Sequence, residues 1–363
     1  MEFSEKPVWG RHTRQELKQL QIAPPSQAVG KRIRENWDKV AKPLDGMGRF
    51  ETLTAQIGAI LGTERPDISR KAVIIMCADN GIVEEGISQS GQEVTHAVAK
   101  EMAGGISSVG KMAAVAGADT IPVDIGICHG EKIPGVLDRK IRRGTENFLK
   151  KPAMTEEEAV RAVFTGMEIV SDCKKMGYHI LATGEMGIGN TTTSSAVTAV
   201  LLQCDAAEIT GRGAGLDDGG LLRKQQVIRE AMEKYSLAGA DALDVLKTVG
   251  GLDIAGLAGV CIGGALSHIP VVLDGVISMA AALLAERIVP GTRAYLIPSH
   301  KGKEPATEKL MKELCLEPVI DAGMALGEGT GAVMMFSLLD MALAVYHDGT
   351  TFSDIQIEQY KRF

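Results

Sequence analysis

The stretch AVIIMCADNG at residues 72–81 decides the fold. Its unbroken apolar run predicts a strand buried on both faces, and Asp79-Asn80-Gly81 predicts the turn that ends it. Further short apolar runs follow at 120–127, 178–183, 269–273, 293–297 and 317–320. Helical patterns separate these runs. Strands that alternate with helices predict a Rossmann-like α/β fold, a mostly parallel sheet with helices on both faces.

The chain before residue 70 has a helical pattern instead, with helices predicted at 14–20, 26–40 and 48–61. We therefore predict a small helical domain over 1–69, to which 335–363 can contribute, and a large α/β domain over 70–334. Helices within the large domain are predicted at 94–116, 155–175, 191–202, 275–288, 305–314 and 331–345. A capping box at Thr155 and Glu158 starts the second of them.

Composition and charge exclude several classes of protein. The 363-residue chain carries a net charge of −7 and has no strongly basic stretch, so we expect no nucleic-acid partner. The first residues, MEFSEKP, lack the apolar core of a signal peptide, and the six cysteines are widely spaced. The uncharged stretch 254–273 contains four glycines, His268 and Pro270, which favours a buried helix and strand over a membrane span. We therefore expect a cytoplasmic protein with no membrane partner and no metal site.

Glycine-rich turns are the places where we expect chemistry, because ligands of parallel α/β sheets bind at the carboxyl ends of the strands. Four turns are unusually rich in glycine or carboxylates: 78–88, 184–193, 210–220 and 326–331. The second joins a strand to a helix, so its backbone N–H groups and the helix N-terminus favour a phosphate. It matches neither a P-loop nor the G-x-G-x-x-G pattern. A well-capped buried helix is the alternative interpretation.

The third and fourth turns each add one charged side chain. Lys224, one turn into a helix after the third, can supply a positive charge to a phosphate, although a lone helical lysine is usually only solvated. Glu328 lies between glycines in the fourth turn, where a substrate could approach it closely. It is a candidate base, and a helix cap is the alternative.

The four turns, in this order, resemble the nicotinate-nucleotide:dimethylbenzimidazole phosphoribosyltransferase family. The resemblance covers nearly the whole chain, and its matching segments are 42–49, ADNGIVEEGIS (78–88), GEMGIGNTT (184–192), VGGLDIAGLAGV (249–260), VVLDG (271–275), YLIPSH (295–300) and LGEGTGA (326–332). It implies that a phosphoribosyl group passes from nicotinate mononucleotide to a benzimidazole, giving an α-linked riboside phosphate for the lower ligand of cobamides. The implied enzyme is a homodimer that needs no cofactor.

The resemblance also implies roles for individual residues. Glu328 matches the catalytic base, and Glu185 matches a second acidic residue near the ribose. The nucleotide would be bound by Gly187, Ile188, Asn190, Thr191, Gly213, Gly215, Lys224, His300 and Gly327. The aromatic base would be bound by Asp79, Ser90, Val98, Met186 and Leu326.

Three alternatives stay open at the level of sequence. The transfer could use another benzimidazole, a purine or a phenolic base, because the segment around Ser90 and Val98 departs from the family pattern. The chain could instead be an NAD- or nucleotide-dependent enzyme of another class, against which the missing G-x-G-x-x-G argues. It could also be a non-catalytic binder of nucleotides, against which Glu328 argues.

Overall fold

The strands form one parallel sheet. A computed structural model describes Phe3 and residues 12–128 and 131–362. The strands in this part of the chain are β1 (Lys71–Ala78), β2 (Asp119–Gly126), β3 (Leu137–Asp138), β4 (Ile180–Met186), β5 (Val271–Leu273) and β6 (Leu296–Pro298). They lie in the order β3-β2-β1-β4-β5-β6, and every pairing is parallel. The predicted α/β fold is therefore confirmed.

Helices cover both faces of this sheet. They are α1 (Arg14–Gln19), α2 (Gln27–Trp37), α3 (Arg49–Leu61), α4 (Glu93–Ala103), α5 (Ser108–Ala116), α6 (Glu156–Lys175), α7 (Asn190–Leu202), α8 (Ala206–Ile209), α9 (Asp218–Lys234), α10 (Ala242–Val249), α11 (Leu252–Leu266), α12 (Val276–Ile288), α13 (Ala306–Leu314) and α14 (Thr330–Asp348). The capping box that starts α6 is confirmed, since Thr155 and Glu158 exchange hydrogen bonds. The stretch 254–273 is a buried helix followed by a strand, as predicted.

Two predicted elements are wrong, and the strand predicted at 293–297 is shifted to Leu296–Pro298, because Thr292–Tyr295 form a 3₁₀ helix. The single helix at 94–116 is two helices, because the chain turns at Gly104-Gly105, where Gly105 has φ of 65°. Ser107 then caps α5 through the backbone N–H of Gly110, at 3.2 Å. The strand at 317–320 is reduced to one bridge between Ile320 and His300. Pro318 has no N–H to give to a ladder, which weakens any strand there.

The order of the strands places a topological switch point between β1 and β4. Met76 pairs with Glu185 and Cys77 pairs with Met186, so both strands end at the same level. Asp79 follows β1 at that edge. In open α/β sheets the crevice at such a point is the usual ligand site.

The two faces of β1 bury alternate side chains in different cores. Ile74 and Met76 contact the core that contains α6 and α11, whereas Val73 and Ile75 contact the core that contains α3, α5 and α14. Helices α6 and α11 approach so closely that a β-carbon on Gly259 would overlap the carbonyl oxygen of Val163. The glycines of α11 are therefore explained by packing.

We expect Gly259→Ala to lower the free energy of unfolding by about 3 kcal/mol, because the added methyl must separate two packed helices. Urea unfolding of the variant measures this loss. Gly30→Ala is the matched control, since a β-carbon there would meet its nearest atom at 3.5 Å, an ordinary contact. Equal stability of the two variants would contradict the packing of α6 on α11.

Helix α14 is the one described helix that is long and apolar enough to cross a membrane by length and composition, and half of its apolar window is buried. Its buried side faces the N-terminal helices, with the rings of Trp37 and Tyr346 5.1 Å apart. Val40 and Thr351 form a bridge beside it. The division into a small helical domain and a large domain stays a prediction.

Candidate active site

The turn after β4 brings Glu185 and Met186 to the switch point. Gly189 begins α7 with φ of 96°, a conformation that favours glycine. The N–H of Ile188 donates to Oγ1 of the buried Thr95 on α4, at 3.2 Å. A β-carbon on Gly187 would lie 2.5 Å from the carbonyl oxygen of Ala78, so this glycine permits the close approach of the turn to β1.

The turn before α14 lies directly against the turn after β4. Gly327, Glu328 and Gly329 all have positive φ, at 85°, 61° and 98°. A non-glycine residue in this conformation stores strain, and such residues cluster at functional sites. A β-carbon on Gly184 would overlap the carbonyl oxygen of Glu328, so glycine is needed where the two turns meet.

Asp274, which follows β5, fixes the turn before α14. One carboxylate oxygen accepts from the N–H of Gly329 at 3.1 Å, and the other accepts from Gly331 and Ala332 at 2.9 and 3.2 Å. These are the unpaired donors of the α14 N-terminus. Asp274 therefore accepts from the N–H groups at the start of α14, so Glu328 is not needed there as a cap.

The carboxylate of Glu328 instead reaches another helix. Its Oε2 accepts from the N–H of Val109, in the first turn of α5, at 3.0 Å. The α5 N-terminus favours a negative charge there. Glu328 is half-buried and lines the cavity described below. Glu328 therefore does not cap α14; its carboxylate contacts a distant helix and faces the cavity, where a ligand can reach it.

Glu185 has the opposite environment. It is buried at the end of β4, and the amide of Asn190 donates to its Oε2. Burial raises the pKa of Glu185 to about 8, and the nearby carboxyls of Asp253 and Asp274 push the pKa in the same direction. A protonated carboxyl can donate a hydrogen bond near neutral pH. The two acidic side chains are therefore suited to different tasks.

The raised pKa of Glu185 predicts how stability depends on pH. The carboxyl loses its proton near 4.5 when unfolded but near 8 when folded, so the free energy of unfolding falls as pH rises between these values. Glu185→Gln lacks this carboxyl. We therefore expect the variant to gain stability relative to the wild type between pH 5 and about 8. Thermal unfolding across that range measures the difference, and a constant difference would contradict the protonated state.

Lys224 lies beneath the third glycine-rich turn and is fully buried. Its Nζ donates to Oγ1 of Thr191 at 2.8 Å and to the carbonyl oxygen of Gly211 at 3.2 Å. Burial lowers the pKa of Lys224 to about 8, while the carboxylate of Glu304 opposes that shift. The lysine is not a solvated helix residue. It sits behind Thr191, which lines the cavity.

A cavity of about 260 Å³ lies between these turns. Most of the predicted site residues line it: Glu185, Met186, Gly187, Ile188, Asn190, Thr191, Gly213, His300, Leu326, Gly327 and Glu328. Close packing shapes its floor, since a β-carbon on Gly327 would lie 2.6 Å from Oε1 of Glu185. The structure thus brings together the residues of the second and fourth turns.

Five predicted residues lie outside the cavity lining, namely Asp79, Ser90, Val98, Gly215 and Lys224. Asp79 accepts from the N–H of Cys128 at 2.7 Å and so holds the chain after β2. Val98 packs in the same apolar cluster as Met186. The carbonyl oxygen of Gly215 accepts from Gln89 at 2.5 Å, which links the third turn to the first. Their binding roles stay predictions.

Sequence reasoning missed several cavity residues: Asp274, Gly275, Val276, Ile277, Ser278, Gly302, Lys303, Glu304 and Met324. The first five follow β5, and the next three follow β6. The rule that ligands bind beyond the carboxyl ends of strands could have found them. Both strands were predicted, and Asp274 and Gly275 lie in the matching segment VVLDG, but no binding role was assigned to the turns that follow these strands.

Comparison with known proteins decides the family. A family model described as phosphoribosyltransferase matches residues 22–357. The nicotinate-nucleotide–dimethylbenzimidazole phosphoribosyltransferase of Ruminiclostridium cellulolyticum is 45% identical over 324 residues, which are 89% of this chain and 92% of that protein. The chain belongs to this phosphoribosyltransferase family.

Solved structures of the phosphoribosyltransferase family agree with the fold. The crystal structure of CobT from Thermus thermophilus has a TM-score of 0.87 and 36% identity, and covers 92% of this chain and 100% of that one. A relative from Acetivibrio thermocellus with the same enzyme name is 44% identical over 91% of this chain and 94% of its own length. The family predicted from the glycine-rich motifs is confirmed. The alternative of an NAD-dependent enzyme of another class is set aside.

Proposed function

We propose that this enzyme transfers the phosphoribosyl group of nicotinate mononucleotide to a ring nitrogen of a benzimidazole-type base. The products are nicotinate and an α-riboside 5′-phosphate, the nucleotide of the cobamide lower ligand. One observation carries the proposal. Two interlocked glycine-rich turns bring Glu185 and Glu328 to the same cavity, where one environment suits a proton acceptor and the other a hydrogen-bond donor.

The bond changes follow from the substrates. A nitrogen of the base attacks the anomeric carbon while the bond from that carbon to the pyridinium nitrogen breaks, and the electron pair of that bond leaves with nicotinate. The attacking base then carries one proton too many. Glu328 takes the N–H proton from its other nitrogen, which keeps the new riboside neutral. Positive charge develops on the ribose during the exchange, as it does in glycoside cleavage.

Glu185 and Lys224 hold the nucleotide in this proposal. The protonated carboxyl of Glu185 donates to a ribose hydroxyl, and its burial keeps that proton in place near neutral pH. Lys224 places a positive charge behind Thr191 for the 5′-phosphate. Gly213 supports this arrangement, since a β-carbon there would lie 2.7 Å from Oγ1 of Thr191. The nucleotide phosphate would therefore lie at the start of α7.

The aromatic base is the less constrained partner. Met186 and Leu326 line the cavity beside Glu328, and Leu326 is 54% exposed. An exposed apolar side chain suits a flat aromatic ligand that covers it. Ser90 and Val98 would complete the base pocket. A different benzimidazole, a purine or a phenol therefore stays an alternative acceptor.

The proposed assembly is a cytoplasmic homodimer. Apolar side chains on one stripe of α14 are exposed, namely Met334, Met341 and Val345, at 37%, 61% and 36%. Val115 on the neighbouring α5 is 89% exposed. Exposed apolar side chains on neighbouring helices are typical of a protein interface. The division into a helical domain over 1–69 and a catalytic domain over 70–334 is part of the same proposal.

A screen of acceptor bases tests the proposed function. The enzyme is incubated with nicotinate mononucleotide and, one at a time, 5,6-dimethylbenzimidazole, benzimidazole, adenine and a cresol, and nicotinate release is followed. Release that depends on the added azole supports the proposal. Release with the phenol or purine alone would support the alternative acceptors. Absence of release with every base would overturn the transfer.

A further inference from the structure

The N-terminus of α12 opens on the cavity, and no side chain in the described part of the chain caps it. Gly275 occupies the N-cap position of this 13-residue helix, and Val276, Ile277 and Ser278 line the cavity. Their backbone N–H groups belong to the first turn, where α-helical donors lack intrahelical partners. The helix N-terminus also carries a partial positive charge. This end of the cavity is therefore suited to an anion.

Ser278 adds a side-chain donor at the same place. It is 1% exposed, and its Oγ has no hydrogen-bond partner among the described residues. A serine inside a helix commonly bonds the carbonyl four residues earlier, here that of Asp274, but this bond is not made. A buried hydroxyl without a partner is costly. Because Ser278 lines the cavity, a ligand can satisfy it.

The carboxylate of Asp274, one residue before Gly275, is engaged at another helix. Both carboxylate oxygens of Asp274 are occupied by the N–H groups that start α14. The ring of His300 faces the same space, with its Nε2 3.8 Å from the position of a β-carbon on Gly275. Ser299 donates its hydroxyl hydrogen to the carbonyl oxygen of Leu273, so it accepts from Nδ1 of His300 at 2.9 Å. That bond fixes the ring. With Nδ1 donating, Nε2 of the neutral ring is an acceptor, so the donors to an anion here are the N–H groups of α12 and the hydroxyl of Ser278.

The stereochemistry of the proposed reaction indicates which anionic group of the substrate lies at the N-terminus of α12. Conversion of a β-nucleotide to an α-riboside inverts the anomeric carbon, so the leaving ring and the incoming base lie on opposite sides of the ribose. The base is placed by Glu328 and Met186, on the side of β1 and α5. Helix α12 follows β5, which lies on the other side of β4. The phosphate is assigned to Lys224 and Thr191.

We infer that the N-terminus of α12, with the hydroxyl of Ser278, binds the carboxylate of the leaving nicotinate and selects nicotinate mononucleotide over nicotinamide mononucleotide. The inference rests on the proposed function for its orientation. Nicotinamide has the same shape but carries a neutral amide. Its amide offers one neutral acceptor oxygen in place of two charged ones, so a backbone N–H of the site would face the NH₂ group without an acceptor, which a buried site penalises. Ser278 is therefore a specificity-determining residue.

Ser278→Ala tests the inference, because alanine is well tolerated in a helix. Dissociation constants of both nucleotides are measured by calorimetry for the wild type and the variant, together with kcat/KM for transfer to dimethylbenzimidazole. We expect the variant to bind nicotinate mononucleotide about 10- to 100-fold more weakly and nicotinamide mononucleotide about equally well. Thr165→Val is the matched control, since it removes a buried hydroxyl from α6, away from the cavity.

The outcomes separate this inference from the proposed function. An equal loss for both nucleotides would place the phosphate, which both carry, at α12 and overturn the inference. Unchanged affinity for both nucleotides would overturn it as well. A nicotinate preference that depends on Ser278 in an enzyme that forms no riboside would support the carboxylate site and defeat the proposed transfer.

Discussion

Glu328→Gln is expected to lower kcat for riboside phosphate formation by about 10²- to 10⁴-fold, the usual contribution of a general base. Glutamine has the same shape and can still accept from the N–H of Val109, so the turn should keep its geometry. It cannot accept the proton of the attacking base. Single-turnover kinetics with saturating nucleotide and dimethylbenzimidazole measures the loss.

The binding of nicotinate mononucleotide should change little in the same variant, because Lys224 and Thr191 hold the phosphate at a separate place. Glu317→Gln is the control for loss of a carboxylate. Its side chain is 75% exposed and paired with Arg49 on the surface. A Glu328→Gln enzyme that transfers at nearly the wild-type rate would show that another group removes the proton.

Lys224→Met should weaken binding of nicotinate mononucleotide by about 10- to 100-fold, because the buried positive charge behind Thr191 that attracts the phosphate is lost. Methionine matches the apolar stem of lysine, so the helix packing should survive. The wild type should also bind more weakly as pH rises through about 8, where the amine loses its charge. The variant should lose that part of the pH dependence.

Calorimetric titration with the nucleotide from about pH 6.5 to about 9, a range that brackets the pKa of the buried amine, measures both effects. Lys234→Met is the control, since that lysine lies at the other end of α9 and bonds the carbonyl oxygens of Leu149 and Lys150. A Lys224→Met variant with wild-type affinity would show that the phosphate does not bind at the third glycine-rich turn. It would leave the family and the role of Glu328 intact.

Local pattern predicted much of the fold. The apolar run of β1 and the capping box of α6 depend on neighbouring residues, and both are confirmed. The break between α4 and α5 was missed. Glycines are tolerated within a helical pattern, so the pair at 104–105 did not by itself indicate that the chain turns there. The apolar residues near 317–320 were predicted as a strand, but their pairing with the sheet is limited to one bridge, between Ile320 and His300.

The candidate site depends on contacts that sequence does not reveal. The turn at Glu328 was found because its glycines are unusual in composition. Its contact with Val109 joins residues far apart in the chain, and only the folded sheet brings them together. Asp274 belonged to a recognised motif, but its bonds to the start of α14 depend on how β5 and α14 meet. Ser278 stood in an ordinary apolar helix, so only its buried, unpartnered hydroxyl singles it out.

The identity of the product tests the central claim most directly. The enzyme is incubated with nicotinate mononucleotide and 5,6-dimethylbenzimidazole, and proton NMR follows nicotinate and the anomeric configuration of the riboside together. The proposed mechanism predicts one α-riboside 5′-phosphate for each nicotinate released. Nicotinate that appears with free ribose 5-phosphate, or with a β-riboside, would contradict it.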